Sequence, residues 1–360
     1  MGIDFDAGRW DRIRRTYREW WDGRLERPLI PLIVGGRDPG RPEPDVPRGR
    51  RTANYPFSIA PEQIVDRWDW DLSTRYYVGD AFPQVWIDFG PGVLAAFIGG
   101  QGHVDDHTVW FTPRDDRPIG DIRFVYDPNH PWLLRIKAIC RAAVERWGGL
   151  VQVGMTDLGG NLDILSTFRP SEKLLLDLYD HPDEVDRLTW EAHELWHRCF
   201  ADINAILRPA NPGYTAWAGI FSDRPHYMLQ CDFCYMISPD MFDRFVKPEL
   251  AATCRRLADP FYHLDGVGQL PHLDSLLAIP ELKGIQWIPG DGKPPCANWP
   301  DVYRRIRSAG KLVQFLGNLD GLETMWRELG SVRGFVTGFQ YYKPEEREMA
   351  QAKLRRFGVA

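Results

Sequence analysis

The sequence has no long uninterrupted run of apolar residues. Its purely apolar stretches are short, as in residues 28–34, whereas a membrane-spanning helix needs roughly 18 apolar residues or more. Residues 1–21 are charged and lack the apolar block that is typical of a secretory signal peptide. We therefore expect a cytoplasmic protein that does not enter a membrane.

Cysteine is also scarce, and basic residues do not outnumber acidic ones. The six cysteines are scattered, at positions 140, 199, 231, 234, 254 and 296. Without a secretion signal this favours reduced thiols over a disulfide framework. The formal net charge is -6, which weighs against a nucleic-acid-binding protein because such proteins normally carry a basic face. The sequence also contains no P-loop, no G-x-G-x-x-G fingerprint and no G-x-S-x-G elbow.

What is present is an alternation of short aliphatic runs and amphipathic stretches. Strands are predicted at 29–34, 84–88, 150–154, 214–217, 260–264, 283–287, 311–315 and 333–337. Helices are predicted at 61–70, 130–147, 183–207, 239–257, 300–309, 320–329 and 345–356. Repeated β-then-α units predict parallel strands with crossover helices. Eight of them favour a (β/α)8 barrel of the TIM type as a single domain over 1–360, with insertions in the N-terminal third.

The sharpest candidate for chemistry is the pair His263 and Asp265. Enzymes built on such barrels place catalysis at the carboxyl ends of the strands, where this pair lies. Residues two apart on a strand face the same way, and Gly266 then allows the chain to turn. An imidazole and a carboxylate on one face could bind a divalent metal ion or act as an acid–base pair. A purely structural His–Asp hydrogen bond is the alternative.

The same strand-end rule selects further positions. Asp157, beside two glycines, is a second catalytic candidate, and Arg37 could hold a substrate carboxylate or be one more solvated arginine. Cys231 is read either as an ordinary buried thiol or as lining a pocket. The other predicted substrate-binding residues are Asp232, Trp217, Trp287, Asn318 and Gln340, although aromatic residues at such positions are at least as often packing.

Two metal-binding motifs have weaker support. Residues 193–197 spell H-E-x-x-H, which is typical of zinc proteases. On a helical wheel the two histidines fall roughly 100° and 140° from the centre of the apolar stripe, so we expect them to face solvent and interpret the motif as a chance match. Residues 231–234 form a lone C-x-x-C, whereas a structural zinc site needs four ligands.

Four segments resemble one known family. Residues 237–248 are similar to its "SPE-x-F-x-x-F-V-x-P" helix start, and residues 263–266 stand where some members have H-x-C-G. Residues 286–287 stand where others have Asp-Trp, and residues 317–320 are similar to a G-N-L-D segment. From about Leu150 to the end the chain thus resembles the uroporphyrinogen decarboxylase superfamily. That superfamily contains (β/α)8-barrel decarboxylases and zinc-dependent methyltransferases that act with corrinoid proteins.

The chain also departs from that family. The stretch 336–340 has neither the histidine of the decarboxylases nor the cysteine that completes the methyltransferase zinc site. The family's H-x-C becomes His263-x-Asp265, and replacing thiolate by carboxylate makes a site harder. Only Gly36-Arg37 is similar to the arginine-rich segment with which the decarboxylases bind substrate.

The resemblance implies a metal-dependent, methyltransferase-like enzyme. Its metal, zinc in the relatives, would be bound by His263 and Asp265, with Cys231 as the predicted third ligand and Asp232 and Gln340 as other candidates. The corrinoid would come on a partner protein, the acceptor would be a small molecule, and a homodimer is implied because family members are often dimers. The alternatives are a cofactor-free decarboxylase or lyase acting on a small carboxylic acid, and a non-catalytic binding barrel.

Overall fold

The computed structural model describes residues 2–359, apart from the side chain of Ser171, as a mixed α/β fold. Its strands are β1 (Pro31–Val34), β2 (Tyr76–Gly79), β3 (Gln84–Trp86), β4 (Gln101–Val104), β5 (Val109–Thr112), β6 (Gln152–Gly154), β7 (His226–Gln230), β8 (Asp259–Asp265), β9 (Gly284–Ile288), β10 (Leu312–Phe315), β11 (Phe335–Thr337) and β12 (Gln340–Tyr342). Its helices are α1 (Ala7–Trp21), α2 (Pro61–Ser73), α3 (Leu94–Phe97), α4 (Pro131–Trp147), α5 (Asn161–Phe168), α6 (Ser171–Asp180), α7 (Pro182–Leu207), α8 (Pro239–Met241), α9 (Lys247–Arg256), α10 (Leu273–Leu277), α11 (Pro300–Ser308), α12 (Leu319–Leu329) and α13 (Arg347–Arg356).

The central feature is a parallel sheet in the C-terminal half. Strands β7 to β11 lie side by side in chain order, and every neighbouring pair is parallel. One or more helices connect each strand to the next, as parallel strands require. Nearly every residue of these strands is buried, which is why they read as continuous apolar runs and not as an alternating pattern.

The N-terminal half contributes smaller ladders. Strand β3 is parallel to β6, and β1 is parallel to β12 and antiparallel to β2. Just before β1, Leu29 forms a parallel bridge with Val336 of β11. The N-terminal chain therefore adjoins the last strand of the parallel sheet.

One predicted strand is wrong. In the segment 214–217, Tyr214 only bridges Ser222 in a short antiparallel turn, and the strand lies at β7. The pattern failed because β7 begins and ends with polar residues, His226 and Gln230, both of which are buried. A strand buried on both faces shows no alternation to separate it from a loop.

The other predicted strands and all seven predicted helices are present, within a few residues. The start of α8 is as expected, with Ser238 Oγ accepting a hydrogen bond from Met241 N (3.3 Å) and Pro239 in the first turn. A π-helical turn at Phe242–Val246 joins α8 to α9. No helix within residues 2–359 combines the length and the apolar character needed to cross a membrane.

Helix α1, which the sequence analysis missed, covers the amino ends of the strands. Asp6 caps it by accepting a hydrogen bond from a backbone N–H of the first turn (2.8 Å). On its buried face, Trp10 Nε1 donates to Leu150 O (2.9 Å) and Trp20 Nε1 to Phe335 O (3.1 Å). Both carbonyls lie at or just before the start of a strand, so α1 closes that end of the sheet and the carboxyl ends remain available for a site.

Candidate metal centre

Three side chains that can bind metal converge at the carboxyl ends of β7 and β8. They are Asp232, His263 and Asp265, and one ligand atom of each lies within 4.8 Å of the others. His263 Nε2 is 3.8 Å from Asp265 Oδ2. His263 is mostly buried, Asp265 is half-buried and Asp232 is exposed. The group therefore has one side open to solvent, through which an ion or a substrate could enter.

The alternation of β8 brings His263 and Asp265 together, as predicted. Leu264 between them is fully buried, because successive side chains on a strand point to opposite faces. Gly266 then adopts a φ of +81°, in the left-handed region that favours glycine. A Cβ atom at this position would lie 2.8 Å from the ring of Tyr235, so the turn after Asp265 also depends on the missing side chain.

Asp232 is held in place from a distant part of the chain. It begins the turn that follows β7, and Asp163, in the first turn of α5, accepts hydrogen bonds from the backbone N–H groups of Asp232 (2.9 Å) and Phe233 (2.7 Å). Burial, followed by the nearby Asp232 carboxylate, raises the pKa of Asp163 to about 8. The sequence analysis did not select Asp163 as a site residue. It acts here as a positioning group for Asp232.

The negative charge of the cluster raises the pKa of His263. Burial by itself lowers this pKa, but the nearby carboxylates of Asp265 and Asp232 and the hydrogen bond to Gln286 outweigh it, so that the pKa is raised overall. The carboxylates thus favour positive charge at the imidazole. The same field would favour a bound cation, which competes with protons for these ligands.

Asp157 is buried next to the cluster. Its Oδ1 accepts hydrogen bonds from Gly159 N (2.8 Å) and from the hydroxyl of Tyr227 (3.4 Å). Burial raises the pKa of Asp157 to about 6, with smaller electrostatic effects from Asp232 and His263. A carboxyl group that titrates near neutral pH is suited to proton transfer.

Trp217 is a predicted substrate-binding residue that the structure brings to the cluster. Its ring meets the ring of His263 edge to face, with centroids 4.9 Å apart. It is half-buried and lies within the turn closed by the bridge between Tyr214 and Ser222. An aromatic wall thus covers one side of the imidazole.

Cys231 and Trp287 are not members of the cluster of Asp232, His263 and Asp265. The Cys231 thiol is fully buried, and burial together with a hydrogen bond to Cys234 raises its pKa well above the ordinary value, so that it is not a ready thiolate ligand. Its neighbour Asp232, and not Cys231, lies in the cluster with His263 and Asp265. Trp287 is fully buried and packs edge to face against Trp299, with ring centroids 5.5 Å apart.

Three further predicted binding residues make local structural contacts instead. The guanidinium of Arg37 donates to a backbone carbonyl at the end of α2 (2.7 Å). Asn318 caps α12 by accepting a hydrogen bond from a backbone N–H (2.9 Å). Gln340 donates to the backbone carbonyls of two glycines (3.0 and 3.2 Å).

The H-E-x-x-H segment does not face solvent, so this expectation is wrong for its first histidine. His193 is 3% exposed, and its Nδ1 forms a 2.7 Å hydrogen bond with Glu249 of α9 and a 3.1 Å bond with Thr253. The wheel failed because α9 packs against α7 and buries a second face of it. Among the described residues, only the group of Asp232, His263 and Asp265 brings three such ligand atoms together, so the zinc-protease interpretation gains no support.

Two cavities are each lined by one carboxylate of the cluster. One, of about 350 Å³, is lined by Asp163, Asp232, Phe233 and Met236 together with backbone of the glycine-rich loop before α5. The other, of about 180 Å³, adjoins Asp265. The larger volume is in the range of small-molecule sites. Another cavity, of about 360 Å³, is lined by none of the three ligand residues.

Two buried glutamines behind His263 were missed. Gln286 in β9 and Gln314 in β10 are 0% and 1% exposed, and Gln286 Oε1 bonds the Nδ1 atom of His263. The signal was present in the sequence, because each is a lone polar residue inside an apolar strand. Buried polar groups are nearly always hydrogen-bonded, so such a pair should have been examined as part of a site.

Comparison with known proteins adds information on the fold. No family model matches the chain, and no curated protein matches it. Among solved structures it is similar to a methyltransferase from Methanosarcina mazei, with a TM-score of 0.61. The alignment covers 97% of this chain and 99% of that chain, at 13% sequence identity. At this identity the similarity establishes a shared fold and not a shared reaction.

Proposed function

We propose that this protein is a metal-dependent, methyltransferase-like enzyme whose ion is bound by Asp232, His263 and Asp265. The observation that carries the proposal is the convergence of these ligands at the carboxyl ends of adjacent parallel strands. The fold similarity to a methyltransferase over nearly the whole chain supports the reaction class. We further propose that the strands close into a (β/α)8 barrel, since the bridge from Leu29 to Val336 joins the first segment to the last strand.

The donor set fits a divalent ion. One imidazole and two carboxylates can bind Zn²⁺, and they also suit harder ions such as Mn²⁺. Three protein ligands leave a coordination position for a substrate, as in catalytic sites. A bound ion would supply Lewis acidity that lowers the pKa of a coordinated thiol acceptor.

The chain's own residues would then divide the remaining work. Asp163 holds the backbone of Asp232, and Trp217 covers one side of His263 and limits access of water. Asp157 could receive the proton of the acceptor, because its pKa of about 6 makes it a base at neutral pH. We propose that the methyl group arrives on a corrinoid carried by a separate protein.

The lining of the cavities disfavours the decarboxylase alternative. The larger cavity has carboxylates and no arginine or lysine, and Lys293 is the basic residue that lines the smaller one. A carboxylic acid substrate would find no arginine or lysine partner among the residues that line the larger cavity. Arg37, our predicted partner for such a substrate, bonds a backbone carbonyl of α2.

The first test is metal content, measured by mass spectrometry on protein purified without chelator or affinity metal. We expect near-stoichiometric metal in the wild type, and its loss in His263→Ala and Asp265→Asn. Asp291→Asn is the matched control, because it removes a neighbouring carboxylate that is not in the cluster. His197→Ala should also retain the metal. Wild-type protein that binds neither zinc nor manganese after reconstitution would overturn the proposal.

The second test is turnover. Metal-loaded protein should demethylate a methylated corrinoid in the presence of small uncharged or cationic thiols, which is followed by the change in corrinoid absorption. The Asp265→Asn variant should be inactive. Stoichiometric metal with no turnover for any thiol or corrinoid protein tested would exclude the methyltransferase and favour the binding barrel.

A further inference from the structure

A chain of hydrogen bonds runs from His263 across two neighbouring strands. Gln286 Oε1 bonds His263 Nδ1, Gln286 Nε2 donates to Gln314 Oε1 (2.6 Å), and Gln314 Nε2 donates to Ala218 O (2.8 Å). The strand register places these side chains at one level, because His263 pairs with Gln286 and Gln286 with Gln314. The three side chains thus form one row across β8, β9 and β10.

The last member gives this chain a direction. A backbone carbonyl can only accept, so Gln314 must present its NH₂ group to Ala218 and its oxygen to Gln286. Gln286 must then present its NH₂ to Gln314 and its oxygen to His263. That oxygen accepts a hydrogen bond only if Nδ1 of His263 carries a proton. The opposite arrangement would set the oxygen of Gln314 against the oxygen of Ala218 and leave buried donors unpaired, which is costly.

We propose that Gln286 and Gln314 are positioning residues that hold neutral His263 as the Nδ1–H tautomer, so that the lone pair of Nε2 faces Asp232 and Asp265. This inference rests on the proposed metal site, because a metal-binding imidazole must offer a lone pair. Histidine ligands of metal ions are usually oriented by a hydrogen bond at the other ring nitrogen. Here the orienting group is an amide relay instead of a carboxylate.

Residues 217–218 contact both the imidazole of His263 and the last glutamine of the hydrogen-bond chain. The ring of Trp217 packs against the imidazole (4.9 Å between centroids), and the carbonyl of the next residue, Ala218, ends the relay. The turn between α7 and β7 therefore both covers His263 and determines which groups donate and which accept in the chain of hydrogen bonds behind it. Neither Gln286 nor Gln314 needs a charge to orient His263, because the chain of hydrogen bonds determines only which group donates and which accepts.

The tautomer can be observed without any metal. Long-range ¹H–¹⁵N correlation spectra of metal-free protein labelled with ¹⁵N-histidine distinguish a protonated from an unprotonated ring nitrogen. His263→Asn assigns the signals by their loss. Because the pKa of His263 is raised, the spectra are recorded at increasing alkaline pH until the ring is neutral. We expect the proton on Nδ1, and a neutral ring with its proton on Nε2 would overturn the proposal.

Metal affinity provides the second readout, with zinc as the probe. Gln286→Leu removes the acceptor and should weaken zinc binding about 10- to 100-fold, with loss of the tautomer preference. Gln314→Leu, which does not contact His263, should give a smaller loss in the same direction. Gln286→Glu keeps an acceptor for Nδ1 of His263 but loses the donor to Gln314, so zinc binding and the Nδ1–H form should recover relative to Gln286→Leu without reaching wild-type values. Gln230→Leu is the matched control, because Gln230 pairs with His263 on the opposite side.

The outcomes separate this inference from the proposed function. If the wild type binds no metal but shows the Nδ1–H tautomer, the metal site fails and the relay stands. If zinc binds and Gln286→Leu changes neither affinity nor tautomer, the relay fails and the metal site stands. A purely structural role of Gln286 predicts equal zinc binding in the leucine and glutamate variants, which would also overturn the inference.

Discussion

Replacing Asp157 with asparagine should stabilise the folded protein at neutral and alkaline pH and have little effect in acid. Asp157 is 6% exposed, and its Oδ1 accepts hydrogen bonds from Gly159 N and the Tyr227 hydroxyl. An amide oxygen can accept the same two bonds. The substitution therefore removes a buried charge and keeps these two contacts, although an NH₂ group replaces one oxygen in a site where the backbone N–H of Gly92 also interacts with the carboxylate, which reduces the gain.

The magnitude follows from the pKa of Asp157, which burial raises from the ordinary 3.8 to about 6. The folded state holds this proton more tightly than the unfolded state, so stability falls as the pH rises between these two values. A shift of about two units corresponds to about 3 kcal/mol at 1.36 kcal/mol per unit. The amide does not titrate. The variant should therefore gain up to about 3 kcal/mol over the wild type above the folded pKa, and almost nothing below the unfolded one.

Urea unfolding followed by far-ultraviolet circular dichroism, repeated across this pH range, measures the difference. Asp127→Asn, which removes an exposed carboxylate, controls for the change in net charge. A stability difference that is the same at all pH values would refute the reasoning. So would an asparagine variant that is less stable than the wild type in alkali.

Two further substitutions test the fold around the site. Gly266→Ala should cost about 1–3 kcal/mol, because φ is +81° and the new Cβ would lie 2.8 Å from the Tyr235 ring. Gly292→Ala, with φ of +68° and open space around it, should cost only about 1 kcal/mol; equal losses in urea unfolding would contradict the steric argument. Arg27→Met should cost about 3–5 kcal/mol in the same assay, because it leaves the buried Asp80 without its two-fold guanidinium contact (2.7 and 2.9 Å). A loss below about 1 kcal/mol would mean that this pair behaves as an exposed one.

The pairing of His263 with Asp265 was predictable because it depends on one strand. Alternation within a strand places residues two apart on one face, whatever lies next to that strand. Helix starts were predictable for the same reason, since the cap of Ser238 involves only the next three residues. The third member of the cluster, Asp232, was not predictable in this way. That prediction required knowing whether the side chain of Cys231 or that of Asp232 points toward β8. The hydrogen bonds from the backbone N–H groups of residues 232 and 233 to Asp163 hold the backbone in the observed orientation.

The sequence by itself determined the periodicity of strands and helices, the carboxyl-end location of candidate residues and the common face of His263 and Asp265. Each of these depends on interactions over a few residues. Tertiary structure decided that Asp232 joins the cluster, that His193 is buried against α9, and that two glutamines link His263 to Ala218. Those contacts connect elements 20 to 100 positions apart. They depend on strand register and helix packing, for which a local pattern of residues carries no information.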